Sequence, residues 1–120
     1  MRNIEHKWEI ILYQKENGEV PVAHFLDNLS LKLQAKAYRD IDTLSELGSE
    51  LRMPYSKAMK EGIFELRISQ SNAAARIFYF FRIGRKVILT NGFIKKTQKT
   101  PSAELQKALE YKRDYERRME

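Results

Sequence analysis

The stretch IFELRISQSNAAARIFYFFRIGRKVILTNGFI, residues 63–94, carries the strongest secondary-structure pattern in this chain. It contains three runs dense in Ile, Phe, Val and Tyr, at residues 63–69, 73–83 and 86–94. Residues of these types favour β-strands, and the short polar joints between the runs are typical of tight turns between neighbouring strands. The stretch therefore predicts an antiparallel meander of three strands.

The residues before the meander predict one further strand and a helical hairpin. The run WEIILYQ at residues 8–14 combines aromatic and β-branched residues, which indicates a strand. Apolar side chains then recur with helical spacing over residues 22–29 and again over residues 33–47. Ser30 is a typical N-cap for the second helix, and Gly48 is a typical left-handed residue at its end. Because only a residue or two separates the helices, we expect them to pack as a hairpin.

The residues after the hairpin complete the predicted order. Residues 49–62 contain Pro54 and Gly62, which interrupt regular secondary structure, so this range predicts a loop before the meander. Beyond the meander, Thr100 and Pro101 predict the cap and first residue of a charged helix that runs to about residue 118. The order is β-α-α-β-β-β-α. We therefore expect an α+β fold, a single domain over residues 1–120, with one mainly antiparallel sheet, the helical hairpin on one face and a C-terminal helix.

The composition limits the classes of function. The 120 residues carry a net charge of +6, which favours a phosphate-rich or acidic partner. The chain has no cysteine, so it offers no thiol nucleophile, disulfide or thiolate metal ligand. It has no apolar run near the ~18 residues that span a bilayer, and no apolar secretion signal after Met1. A cytoplasmic protein without a membrane partner is expected.

Strand alternation places charges on one face of the predicted sheet. We expect one apolar set of the first two meander strands to pack on the helical hairpin: Phe64, Leu66, Ile68, Ile77, Tyr79, Phe81 and Ile83. Glu65, Arg67 and Arg76 then lie on the opposite face, with the ring of Phe78 beside them. Guanidinium groups bind phosphate, and an exposed ring can stack on an unpaired base. This face is therefore a candidate RNA-binding surface.

Lysines are expected along the rim of the same face. The segment NGFIKKTQKTP, residues 91–101, carries Lys95, Lys96 and Lys99 with no carboxylate before Glu104. Lys57 and Lys60 lie in the predicted loop that enters the meander. An alternative remains open for each of these features. The charged side chains could be ordinary solvated residues, with Arg67 paired to Glu65. Independently, Phe78 could belong to the core under the last helix.

The motifs ELR, ARIFYFF and GFIKKTQKTP resemble those of the RelE/ParE superfamily of toxins from bacterial toxin–antitoxin pairs, and most of all its phage-derived HigB-like branch. The resemblance covers nearly the whole chain and implies the small RelE-like fold. It also implies a ribosome-dependent endoribonuclease that cleaves mRNA in the 30S A site without metal or cofactor. In such cleavage the ribose 2′-OH attacks the adjacent phosphate and leaves a 2′,3′-cyclic phosphate and a free 5′-OH.

The resemblance assigns expected roles to several residues. Arg67 and Arg76 are expected to bind the phosphate and its transition state, and Lys95 or Lys96 to act as a further clamp or proton donor. Lys99 is expected to hold RNA backbone. Glu65, which strand alternation puts on the same face, is the candidate general base, although some RelE toxins have lysines in this strand; the ribosome or a lysine among neighbouring cations is the alternative. Asn91 stands where many relatives have histidine, and the two histidines of the chain, His6 and His24, are distant in sequence.

The resemblance also implies a partner and leaves two other functions open. The expected partner is a helix-turn-helix antitoxin. One alternative function is that of ParE-like toxins, which share the fold and inhibit DNA gyrase without cutting RNA. The other is an inactive module that only binds nucleic acid or an acidic partner.

Overall fold

A computed structural model of the chain describes residues 7–119. Their strands form a mixed five-stranded sheet in the order β1-β5-β4-β3-β2, antiparallel except for the parallel pair of β1 and β5. The strands and α-helices are β1 Glu9–Leu12, α1 Pro21–Asp27, α2 Leu31–Leu47, β2 Ser56–Ala58, β3 Phe64–Gln70, β4 Ala73–Arg82, β5 Lys86–Ile94 and α3 Ser102–Arg118, and a 3-10 turn, Gly48–Glu50, follows α2. The α+β fold class, the helical hairpin and the meander are confirmed. Among residues 7–119, no helix combines the length and apolar character needed to cross a membrane.

The expected loop over residues 49–62 contains an additional strand. Ser56–Ala58 forms β2 and pairs antiparallel with β3, so that Lys57 lies opposite Glu65. The sequence Ser-Lys-Ala has no apolar alternation because β2 is an edge strand whose pairing uses backbone groups. Its inward side chain is polar, and the buried Ser56 hydroxyl is hydrogen-bonded to the Tyr79 hydroxyl. The loop prediction is therefore wrong at its centre.

The predicted start of α2 is confirmed, and its predicted end differs in conformation. The Ser30 hydroxyl accepts a hydrogen bond from the Leu33 N–H at 3.3 Å. Gly48 follows α2 with φ 52° and ψ −123°, which lies outside the expected left-handed helical region. A Cβ atom on Gly48 would lie 1.9 Å from Nε1 of Trp8. Glycine is required here both by the positive φ and by the close approach of the indole ring.

The start of α3 departs from the prediction by one residue. Pro101, with φ −60° and ψ 129°, is the N-cap, and Ser102 begins the helix. Thr100 is not the cap, because its hydroxyl instead donates a hydrogen bond to Glu65 on β3. The helix ends at Arg118, as expected.

Two apolar layers lie on the two faces of the sheet. The helical hairpin covers the layer that contains Leu66, Ile68, Ala75, Ile77, Tyr79, Val87 and Leu89. Helix α3 covers the layer that contains Phe78, Phe80, Ile88 and Phe93, to which it contributes Ala108 and Leu109. The predicted alternation is confirmed except at Ile83, which is 98% exposed because it lies in the turn beyond the end of β4.

A β-bulge at Thr90 changes the alternation of β5. Phe78 pairs with Asn91 whereas the next residue, Tyr79, pairs with Leu89, so Thr90 is the extra residue. Beyond the bulge, Asn91 faces α3 and its amide donates hydrogen bonds to the Glu104 carbonyl and carboxylate. The bulge therefore sets the direction in which the chain leaves β5 towards Lys95.

Candidate functional site

A buried carboxylate lies at the centre of the charged sheet face. The side chain of Glu65 is 2% exposed, and its Oε2 accepts a hydrogen bond from the Thr100 hydroxyl at 2.7 Å. Its Oε1 lies 3.9 Å from Nε of Arg67 and 3.8 Å from Nε of Arg76. These distances are too long for hydrogen bonds but short enough for strong Coulomb attraction. Glu65 is therefore the shared counterion of two arginines.

The two arginines face each other across β3 and β4. Arg67 and Arg76 are direct cross-strand partners, an arrangement that is unfavourable for like charges. The side chain of Arg76 is 8% exposed and that of Arg67 is 27% exposed. In both, Nε is buried without a hydrogen-bond acceptor among the described residues. One carboxylate thus balances two guanidinium groups incompletely.

Burial and charge act together on Arg76. Burial lowers the pKa of the Arg76 guanidinium below its ordinary value, and the charge of Arg67 acts in the same direction, while Glu65 opposes both. One of its terminal nitrogens donates a hydrogen bond to the Ala75 carbonyl at 2.9 Å. A bound anion would reduce the electrostatic cost of this arrangement.

The lysine segment joins the arginines at the end of β5. The Lys95 N–H donates to the Ala74 carbonyl at 2.8 Å, which extends the pairing of β4 and β5 by one residue. Its Nζ donates to the Gln98 carbonyl at 2.9 Å, so the segment folds back on itself. Burial lowers the pKa of Lys95, and the nearby charges of Arg76, Arg67 and Lys57 lower it further against the opposing effect of Glu65.

These side chains surround an open pocket of about 390 Å³. Its lining consists of Arg67, Arg76, Lys95, Lys96, Thr97 and Gln98. Among residues 7–119, no carboxylate and no imidazole belongs to this lining, which combines positive charge with hydrogen-bonding groups. Arginine and lysine together with such donors are the groups that bind phosphate. The pocket is therefore suited to a phosphate group.

The structure brings together most of the charged residues that the sequence indicated. The two arginines and the first two lysines of the segment line the pocket, and Glu65 lies beneath them. Lys57, on β2 opposite Glu65, is close enough for its charge to lower the pKa of Lys95. Alternation along β3 and β4 had placed Glu65, Arg67 and Arg76 on one face, whereas Lys57 had been assigned to a loop and lies on β2.

Other predicted site residues lie elsewhere. Phe78 is fully buried under α3, with its ring 5.6 Å from that of Phe93, so it cannot stack on a base and the core alternative is correct. Lys60 lies in the turn between β2 and β3, three residues beyond Lys57 and away from the pocket. Lys99 is exposed on the lysine segment and does not line the pocket.

Among residues 7–119, no histidine lines this pocket. His24 is exposed on α1 and lines a different pocket. His6 lies outside the described residues.

Thr100 is a site residue that the sequence analysis missed. It was assigned to the helix cap, whereas its hydroxyl holds the buried carboxylate of Glu65. The two residues are separated by 35 positions, and no local pattern signals a hydrogen bond over that separation. The contact ties the lysine segment to β3 and so fixes the pocket at its base.

A larger pocket of about 600 Å³ lies between α1, β5 and α3. Its two lysines are each paired with a carboxylate: Lys15 with Glu19 at 3.0 Å and Lys107 with Glu104 at 3.7 Å. Its charges are therefore compensated locally. The charges of the smaller pocket lined by Arg67, Arg76 and Lys95, called the arginine pocket below, are not. The smaller pocket is the stronger candidate because its cations outnumber its single buried counterion.

Comparison with known proteins identifies a family. Residues 24–113 match the family described as phage-derived Gp49-like proteins (DUF891), which is associated with toxins of the RelE kind. Comparison with individual curated proteins gave no significant match. The family match extends from α1 into α3 and includes every residue of the arginine pocket. The chain belongs to the family of phage-derived Gp49-like proteins.

Proposed function

We propose that this protein is the toxin of a toxin–antitoxin pair, of the HigB-like branch, and that it is a metal-independent, ribosome-dependent endoribonuclease acting on mRNA. The observation that supports this most directly is the pocket formed by Arg67, Arg76 and Lys95 above the buried Glu65. A site with excess positive charge, placed to stabilise the charge that develops on the phosphate oxygens, is what in-line transfer at a phosphodiester requires.

In the proposed mechanism the two guanidinium groups bind the scissile phosphate. Charge on the non-bridging oxygens increases as the 2′-oxygen attacks phosphorus and the pentacoordinate state forms. Arg67 and Arg76 are held by the sheet and by their shared counterion, so they need little rearrangement to stabilise that charge. Fixed donors of this kind lower the barrier more than flexible ones do.

Lys95 is the proposed proton donor. Its pKa is below the ordinary lysine value because of burial and neighbouring cations, so its ammonium group gives up a proton more readily than an exposed lysine. The bond from phosphorus to the 5′-oxygen breaks while Lys95 protonates that oxygen, and the new bond to the 2′-oxygen closes the cyclic phosphate. The 2′-OH proton passes to solvent or to a ribosomal group.

Glu65 has a positioning role in this proposal. A side chain that is 2% exposed and already bound to Thr100 does not reach a ribose hydroxyl, which argues against its use as the general base. Its carboxylate instead holds the arginines close to each other despite their like charge. The proposal also includes a helix-turn-helix antitoxin as partner and action in the cytoplasm, where message is translated.

The test is to map new mRNA 5′ ends by primer extension after a short pulse of expression. The wild-type protein is compared with the double variant Arg67→Ala/Arg76→Ala and with Arg113→Ala, which removes an exposed arginine from α3. We expect new ends inside translated frames with the wild type and with Arg113→Ala, but not with the double variant. These ends should disappear when the start codon of the message is removed.

Other outcomes would reject the proposal. Growth arrest with intact messages would favour gyrase inhibition of the ParE kind. Neither arrest nor cleavage would favour a module that only binds. Cleavage by the double variant at the wild-type rate would separate any nuclease activity from this pocket.

A further inference from the structure

Two large apolar side chains are exposed next to the arginine pocket. Met53 and Tyr55, which precede β2, are each 58% exposed. Both contact Arg67: one of its terminal nitrogens lies 3.5 Å from the Met53 sulfur, and its backbone N–H donates to the Tyr55 carbonyl at 2.9 Å. The exposed pair therefore adjoins a residue that lines the arginine pocket.

Tyr55 is the turn residue directly before β2, and its backbone adjoins Arg67 on β3. Ser56 pairs with Leu66 and Lys57 with Glu65, so the same register puts Tyr55 opposite Arg67. The hydrogen bond from the Arg67 N–H to the Tyr55 carbonyl joins the two backbones at this position. Residues that are directly opposite in an antiparallel pair project to the same face, with Cβ atoms roughly 5 Å apart.

The ring of Tyr55 is also available for contact. Within residues 7–119 it makes no ring pair and no side-chain hydrogen bond, whereas Phe78, Phe80 and Phe93 are packed beneath α3. An exposed ring beside a phosphate-binding arginine matches the chemistry of a nucleotide, which carries a planar base next to its phosphate. Stacking on such a ring tolerates every base because each has a π-face.

We propose that Tyr55, supported by Met53, is a platform on which an unpaired base of RNA stacks while Arg67 holds the adjacent phosphate. This inference rests on the proposed function for its substrate class and adds the base contact that the buried Phe78 cannot make. The cationic pocket beside the ring favours an RNA strand over an apolar protein segment as the occupant.

The test measures binding of a labelled hexanucleotide by fluorescence anisotropy. A 2′-O-methyl RNA is used, because without a 2′-OH proton it cannot be cleaved, and a second probe carries the same backbone without bases. We expect Tyr55→Ala to weaken binding of the base-bearing probe by about 5- to 150-fold, as expected for loss of one stacked base. Binding of the base-free probe should not change.

Matched variants separate stacking from structural damage. Tyr55→Phe keeps the ring and should bind as the wild type does. Tyr38→Ala removes a ring of similar exposure, 49%, from α2 on the other side of the sheet and should have no effect. The backbone bond between Arg67 and Tyr55 is retained in all variants.

Three results would overturn the inference: equal binding by Tyr55→Ala and wild type, equal losses for both probes, or a wild type that does not prefer the base-bearing probe. Message cleavage is scored separately by 5′-end mapping. If the wild type cleaves message and Tyr55→Ala binds the base-bearing probe as the wild type does, the stacking role of Tyr55 is rejected while the proposed ribonuclease activity stands. If Tyr55→Ala weakens binding of the base-bearing probe but the wild type does not cleave message, the stacking role stands while the proposed ribonuclease activity is rejected.

Discussion

Replacing Glu65 by glutamine is expected to destabilise the fold strongly. The substitution keeps the size of the side chain and an oxygen that can accept from Thr100, but it removes the counterion of Arg67 and Arg76. At 3.8 Å and an effective dielectric constant of 20, one such attraction is worth about 4 kcal/mol before desolvation is considered. Removal of one partner from a buried ion pair costs about 3–5 kcal/mol. Because Arg67 is partly exposed, we expect the total loss to stay within that range.

The assay is urea unfolding followed by far-ultraviolet circular dichroism at neutral pH. Glu110→Gln is the control, since Glu110 is an exposed carboxylate on α3, and its effect should remain within about 0.5 kcal/mol. The double variant Glu65→Gln/Arg76→Met should be more stable than Glu65→Gln alone, because it removes the cation that the first substitution leaves uncompensated.

The reasoning would be refuted by a Glu65→Gln variant whose free energy of unfolding lies within about 1 kcal/mol of the wild type. It would also be refuted if the losses of the double variant were additive. Either result would mean that solvent or rearranged arginines compensate the charges, and that Glu65 does not hold the site together.

Three further substitutions test other contacts. Lys95→Met should raise the free energy of unfolding at pH 7 and reduce cleavage. The pKa of Lys95 in the folded state is below its ordinary 10.5, so between these two pKa values the unfolded wild type binds more protons than the folded wild type. Urea titrations should therefore show that the stability gained by Lys95→Met shrinks as the pH rises between the folded-state pKa and 10.5. Thr100→Val should cost about 1–3 kcal/mol by the same assay, because it removes a hydrogen bond to a buried carboxylate, and Thr100→Ser should restore most of the loss. Gly48→Ala should cost about 2–4 kcal/mol, since it adds a clash with an indole ring to the strain of a positive φ. Gly18→Ala, with φ 95° and its nearest atom at 3.9 Å, should show the strain alone, and equal losses at both glycines would contradict the clash.

The sequence was sufficient for the elements whose patterns are strong and local. The three runs of the meander, the Ser30 cap and the end of α3 near residue 118 follow from side-chain types within a few residues. The same patterns failed at β2, because an edge strand is held by backbone pairing and needs no apolar alternation. They also failed at Thr100, whose hydroxyl could either accept a hydrogen bond from an N–H of the nearby helix or donate one to a distant carboxylate, as it does.

Alternation along a strand depends only on residue spacing, so the side chains of one strand that share a face can be predicted from the sequence. Spacing, together with the expectation that one apolar set of each strand packs on the helical hairpin, placed Glu65, Arg67 and Arg76 on one face of the sheet. Only the tertiary structure decided which part of that face is covered. Helix α3 buries Phe78 and leaves the arginine pocket open, and the register of β2 puts Tyr55 beside Arg67. Coverage depends on how distant segments pack, and that packing is a property of the whole fold which local spacing does not encode.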